Sequence, residues 1–149
     1  DLIGLQPRGI RVARRLQVKL SELLVGKQIR CGELDATFHR DDLMMRDKPI
    51  IPQVNNMDFL VDNRNVILVD DVFFTGRTIR AGLDALLAYG RPKKVELVVL
   101  IDRRFSRELP IEPNYIGKQV DSIGEQHVIV EWKEDGGSDR VLLFNSKPE

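Results

Sequence analysis

Two adjacent carboxylates, Asp70 and Asp71, close an apolar run, and the loop Thr75-Gly76-Arg77-Thr78 follows and opens a helical pattern. These residue types suit the recognition of a sugar phosphate. A glycine-containing loop at the start of a helix turns backbone N–H groups inward and forms a nest for an anion. Gly76 carries no Cβ, so the backbone can approach a phosphate closely, and Thr75 and Thr78 add hydroxyl donors. A carboxylate accepts two hydroxyl hydrogen bonds at once, which fits Asp70 and Asp71 to the neighbouring diol of a ribose. Successive strand residues point to opposite sides, so one of the pair could instead act as general base or support its neighbour. The plainer alternative is two solvated turn acids. Thr78 equally suits a helix cap, and Arg77 suits either phosphate or solvent.

Positioning such a loop requires a strand before it and a helix after it. Val66–Val69 reads as a short buried strand, and Ile79, Leu83, Leu86 and Leu87 make the apolar stripe of a helix that Gly90 and Pro92 terminate. Upstream, residues 1–5 read as a buried strand and Gln6-Pro7-Arg8-Gly9 as a tight turn. A helix follows with Ile10, Ala13, Leu16, Leu20, Leu23 and Leu24 on its apolar face, Arg11, Arg14, Arg15 and Lys19 on others, and Gly26 at its end. A strand is expected from about Ile29 to Phe38 and another over Val95–Ile101. Residues 39–64 have weak periodicity, the mark of a functional lid, a hairpin or both. His127–Trp132 and Arg140–Phe144, separated by Asp135-Gly136-Gly137, predict a terminal hairpin, with Trp132 in the core. The alternation of strands and helices predicts an α/β fold with a mostly parallel central sheet flanked by helices.

Composition removes several classes. At 149 residues, 42% of them hydrophobic, the chain suits one globular domain. Its opening directly on a strand, with no cap or turn before it, carries the expectation that the chain starts inside the fold and lacks an N-terminal segment. Net charge is zero, against the basic excess usual in dedicated nucleic-acid binders. No apolar run approaches the ~20 residues of a membrane span, and no secretory signal is visible. Cys31 is the single cysteine; it fits a reducing cytoplasm and reads as a packing residue rather than a nucleophile. Neither a Walker A loop nor a Gly-x-Gly-x-x-Gly fingerprint occurs, which argues against triphosphate hydrolysis and dinucleotide binding.

The 13 residues Val66-Ile67-Leu68-Val69-Asp70-Asp71-Val72-Phe73-Phe74-Thr75-Gly76-Arg77-Thr78 resemble the phosphoribosyl-diphosphate motif of type I phosphoribosyltransferases. Beyond it, Gly32-Glu33-Leu34-Asp35-Ala36-Thr37-Phe38-His39-Arg40-Asp41-Asp42-Leu43, Gly90-Arg91-Pro92, Arg107-Glu108-Leu109-Pro110-Ile111 and Asn114-Tyr115-Ile116-Gly117-Lys118 are similar to the PyrR family. That family couples attenuation of pyrimidine operons to uracil phosphoribosyltransferase activity. The resemblance implies the type I fold with a flexible hairpin lid and a small hood. It implies transfer of phosphoribosyl from phosphoribosyl diphosphate to uracil with Mg2+, giving UMP and pyrophosphate. It also implies a homo-oligomer, and control of messenger RNA binding by UMP or UTP. Carried onto this chain, it assigns diphosphate to Pro7 and Arg8, where the family has Thr-Arg-Gly, and to Arg40 at the start of the lid. Ribose phosphate and metal fall to Asp70 and Asp71, with Val72, Phe73, Phe74, Thr75, Gly76, Arg77 and Thr78 completing that site. The base falls to Asp102 and Arg103, and RNA to Arg107 and Lys118.

Where the family reads Asp-Arg-Gly-His-Arg-Glu-Leu-Pro, this chain reads Asp102-Arg103-Arg104-Phe105-Ser106-Arg107-Glu108-Leu109-Pro110, one residue longer and without the Gly-His pair. Two other functions therefore stand beside the first. One is an RNA-binding attenuation regulator with little catalysis, which Arg11, Arg14 and Arg15 would also serve. The other is a phosphoribosyltransferase for another base.

Overall fold

Apolar runs too short for helices become strands here, and all of the large sheet is parallel. In a computed structural model, which describes residues 1–41 and 54–145, β1 (Leu2–Leu5) is buried at all four positions. It leads through residues 6–8 into α1 (Gly9–Leu23), followed by β2 (Cys31–Leu34). β3 (Asn65–Phe73) leads through Phe74–Gly76 into α2 (Arg77–Leu86), followed by β4 (Lys94–Arg104) and β5 (Tyr115–Asp121). The sheet order is β2-β1-β3-β4-β5. Every neighbouring pair is parallel, with Leu2 opposite Ile67 and Phe73 opposite Asp102.

Parallel strands need covered faces, and the two helices supply them. α2 buries Ile79, Ala81, Ala85 and Leu86 on one face against Ile3, Leu5, Val66 and Leu68. α1 buries Val12 and Ala13 on the other, with Leu2, Val69 and Ile101. The hairpin β6 (His127–Glu131) and β7 (Arg140–Phe144) is antiparallel and adds Val128, Val130 and Trp132 to the α1 side, where Trp132 was expected in the core. Arginines of α1 fasten it there. Arg15 lies 4.8 Å from the centre of the Trp132 ring and pairs with Glu134 at 2.6 Å and Asp139 at 2.7 Å, while Arg11 pairs with Asp135.

Several expectations need correction. The strand expected over Ile29–Phe38 is only Cys31–Leu34, because the Asp35 carboxylate accepts the N–H and hydroxyl of Thr37 and folds the chain into a single 3-10 turn over Thr37–His39. Leu23, Leu24 and Leu87 are exposed rather than buried; Leu23 ends α1, and Leu24 and Leu87 follow the last residues of α1 and α2. The strand read as Val66–Val69 continues through both aspartates to Phe73. β5 was not anticipated. The lid expected between residues 39 and 64 falls partly outside the described residues; its far end returns to the sheet through a bridge between Asn56 and Glu33. No helix among the described residues is long and apolar enough to cross a membrane.

Candidate active site

The sheet order reverses between β1 and β3, and the chain leaves these two strands toward opposite faces, into α1 and α2. Their carboxyl ends therefore open a crevice, the position where open α/β sheets bind ligands. Two loops line it: Gln6–Gly9 after β1 and Phe74–Gly76 after β3. Gly9 sets how close they come. A Cβ there would lie 2.5 Å from the Val69 carbonyl oxygen and 3.3 Å from Asp70 Oδ1, so only glycine lets the start of α1 rest against the end of β3.

Asp70 and Asp71 are both buried, with relative exposures of 7% and 6%. Solvated turn acids are thereby excluded. Asp70 Oδ1 accepts the Asp71 N–H at 2.9 Å, and Asp71 Oδ1 accepts the Val72 N–H at 2.7 Å. Asp71 Oδ2 is buried with no hydrogen-bond partner among the described residues. Burial first, then the charge of Asp71, pushes the Asp70 carboxyl well above the ordinary carboxylate range. Burial also raises Asp71, opposed by the Val72 N–H and the positive charge of Arg8. Arg40 acts on Asp70 in the same sense as Arg8 does on Asp71, so two arginines from separate segments bear on the pair. The protein thus holds an undercompensated acidic pair. Such a pair gains from a cation or from hydroxyl donors.

The loop after β3 has the shape of an anion nest. Gly76 sits in the left-handed region at φ 94° as the cap of α2, and Thr75 Oγ1 accepts the Arg77 N–H at 3.3 Å. Among the described residues, no acceptor meets the N–H groups of Thr75 and Gly76. Thr78 makes no side-chain cap, which corrects that reading; its hydroxyl accepts from Arg40 Nη1 at 2.8 Å. Arg77 lies at the surface rather than in the nest. It bridges Asp41 and Glu108, each at 2.6 Å, and so joins the start of residues 40–41 to the segment after β4.

That segment covers the crevice from the β4 side. Asp102 is buried and accepts from Arg107 Nη2 at 2.8 Å and, at 3.4 Å, from Gln119. Arg103 is buried too, donating to Ser122 Oγ at 2.9 Å and to the Gln126 carbonyl, with its guanidinium 3.9 Å from the centre of the Phe74 ring. Nε and Nη2 of Arg103 are thus engaged by the protein, as are both carboxylate oxygens of Asp102. Phe105, in the position of divergence, is exposed and left-handed at φ 69°. Arg107 points inward, whereas Lys118 is exposed on β5. Arg11, Arg14 and Arg15 form exposed ion pairs with Asp135, Glu33, Glu134 and Asp139. Sequence reasoning missed Gly9 and the inward Arg107. The Gly immediately after Arg8 was the only available signal for the first. Cys31 is half-buried, and burial raises its thiol, as expected of a packing residue.

A family model described as the phosphoribosyl transferase domain matches residues 2–135. Bifunctional protein PyrR of Bacillus cereus (strain AH820) is 44% identical over 146 residues, which is 97% of this chain and 80% of that relative. The chain belongs to the PyrR family of phosphoribosyltransferases. A second PyrR, from Bacillus mycoides (strain KBAB4), is 43% identical over the same span. Among solved structures, a hypoxanthine-guanine phosphoribosyltransferase from Bacillus anthracis superimposes with a TM-score of 0.59 at 18% identity, covering 80% of this chain and 66% of that one. The hypoxanthine phosphoribosyltransferase of Trypanosoma cruzi gives 0.64 at 17% identity, covering 81% and 60%. The chain spans about two thirds or less of those structures, and the likeness establishes the fold of this PyrR-family chain.

Proposed function

We propose that this chain transfers the phosphoribosyl group of phosphoribosyl diphosphate to uracil, releasing pyrophosphate and forming UMP. One observation carries the reading: an unpartnered, buried carboxylate oxygen on Asp71 stands at the same strand end as the unpaired N–H groups of Thr75 and Gly76. A ribose phosphate satisfies both at once, its hydroxyls on the acids and its phosphate in the nest.

In the reaction, the bond from C1′ to the pyrophosphate oxygen breaks with its electron pair leaving on pyrophosphate. Uracil N1 bonds to C1′ and gives up its proton to solvent. The ring carbon becomes cationic between these events, and the negative charge of Asp71 favours that state while the carboxyl oxygens of both acids accept the ring hydroxyls. Arg8 and the loop of Pro7 balance the charge that grows on pyrophosphate. Arg40, bound to the Thr78 hydroxyl, adds positive charge beside the phosphate nest. Asp102, fixed by Arg107, accepts from the N–H edge of the base.

Mg2+ fits this site. Among the described residues there is no cluster of three or more ligating side chains, and Mg2+ is ordinarily held by one or two carboxylates with substrate oxygens and waters. Asp70 and Asp71 would hold it, and it would neutralise diphosphate charge. Relatives named bifunctional favour a second role, in which uridine nucleotide in this crevice sets affinity for messenger RNA, with exposed Lys118 among the contacts. A homo-oligomer belongs to the same proposal.

The test is pyrophosphate release from phosphoribosyl diphosphate with uracil, hypoxanthine and guanine offered separately. Release is expected with uracil alone and is abolished by chelating Mg2+. Turnover of a purine in preference to uracil overturns the base assignment. No release with any base leaves the regulator as the function, which a steep fall of RNA affinity with salt would then support.

A further inference from the structure

The segment after β4 does more than cover the crevice. Arg107 Nη1 donates to the Phe74 carbonyl at 2.6 Å, and the N–H groups of Glu108 and Leu109 donate to the Thr75 carbonyl at 3.0 and 3.2 Å. Three donors thus hold two consecutive carbonyls of the phosphate loop. In a trans peptide the carbonyl and the following N–H point in opposite directions in one plane. Drawing the carbonyls of Phe74 and Thr75 toward this strap therefore sends the N–H groups of Thr75 and Gly76 away from it. Those are the two donors with no acceptor among the described residues. The open side of Gly76 faces the strap as well, since a Cβ there would meet Leu109, Ile111 and Arg107.

We infer that Arg107 is a positioning residue, whose guanidinium aims the N–H donors of the phosphate loop at the 5′-phosphate and ties them to Asp102. This rests on the proposed function of the crevice. Arg107 is suited to the task because its fork spans both acceptors, with Asp102 Oδ1 at 2.8 Å on one nitrogen and the Phe74 carbonyl on the other. Its plane lies 3.6 Å from the centre of the Phe73 ring, which fixes the fork from below. The base half and the phosphate half of the site are thereby held by one side chain. Arg77 with Glu108 closes the far end of the strap.

The experiment compares wild type with Arg107→Lys, which keeps the charge and the stem over Phe73 but has no fork to hold both acceptors. Ribose 5-phosphate and pyrophosphate are titrated separately by calorimetry in Mg2+ buffer. Ribose 5-phosphate, which has no base, should bind about tenfold more weakly to the variant, the loss of one hydrogen bond to a charged group. Pyrophosphate, at the loop after β1, should bind as before, whereas a generally loosened protein would lose both. A second measurement needs no variant: in isotopically labelled wild type, ribose 5-phosphate should shift the amide resonances of Thr75 and Gly76 and slow their hydrogen exchange. Equal ribose 5-phosphate affinity in Arg107→Lys, or unmoved amides in wild type, overturns the inference while leaving the proposed function standing. A wild-type protein that binds neither ribose 5-phosphate nor phosphoribosyl diphosphate overturns both.

Discussion

Replacing Gly9 by alanine puts a methyl group where the structure has no room for one. The new Cβ would lie 2.5 Å from the Val69 carbonyl oxygen and 3.0 Å from the Asp70 Cα, both backbone atoms that cannot rotate away. Ordinary contact begins at 3.4 Å, so α1 and the end of β3 must part by about 0.9 Å. Overpacking of this kind costs about 1–3 kcal/mol. For a chain of this size that lowers Tm by roughly 2–10 °C. The functional cost is larger, because the same displacement moves Arg8 relative to Asp70 and Asp71. A misplacement near 1 Å costs on the order of 100-fold in rate. Thermal denaturation and steady-state pyrophosphate release, run on the same preparations, measure both. Gly137→Ala is the control: a Cβ there would lie 3.5 Å from its nearest neighbour, the Trp132 carbonyl oxygen, and should change neither quantity appreciably. Gly9→Ala protein with Tm within a degree of wild type and kcat/KM within twofold would refute the close approach of loop and strand.

Asp70→Asn should lose most turnover yet gain stability at alkaline pH. The native state holds a proton on Asp70 above the pH at which the unfolded chain releases it, near 3.8, so wild-type stability falls as pH rises from about 4. Urea denaturation at pH 5 and pH 8 reads the difference, and a gap between variant and wild type that does not widen with pH would sink the argument. Glu134 and Asp139, both held down to about 2 by hydrogen bonds from Arg15, contribute stability that is complete above the usual carboxylate range and is lost as pH falls from there toward about 2. In Arg15→Ala that acid-side transition should move upward in pH, and near-ultraviolet dichroism of Trp132, the ring beneath Arg15, is the probe. Phe105→Gly relieves a left-handed backbone and should stabilise the protein by about 1 kcal/mol, read as a shifted urea midpoint; a lowered midpoint would mean that the exposed ring is buried by something else in solution.

The strand and loop at Val66–Thr78 were legible because their signal is local: four apolar residues, two acids and a glycine at fixed spacing define strand, crevice and nest in a single stretch. The hairpin at the far end of the chain was legible for the same reason, through alternation and a Gly-Gly turn. β5 was not. Its residues are exposed at nearly every position, and it is a strand only because the edge of β4 offers hydrogen bonds at the right register. The end of β2 was misplaced since Asp35, a short acid inside an otherwise extended pattern, captures Thr37 through its side chain. The arginines show the limit most clearly. Arg11, Arg15, Arg103 and Arg107 are indistinguishable in sequence from surface charge, yet each has partners set by tertiary contacts. Arg15 finds its partners 119 and 124 residues away.

That last separation has a consequence for how the chain is made. Residue 15 leaves the ribosome long before residues 134 and 139 do, and at about 5–20 residues per second the delay is on the order of ten seconds. Throughout it, the parallel core can assemble around β1 and β3, but the basic face of α1 stays bare and the site for Trp132 stays open. Assembly of this fold therefore includes a fastening step, in which a hairpin made late neutralises a helix synthesised 119 to 124 residues earlier.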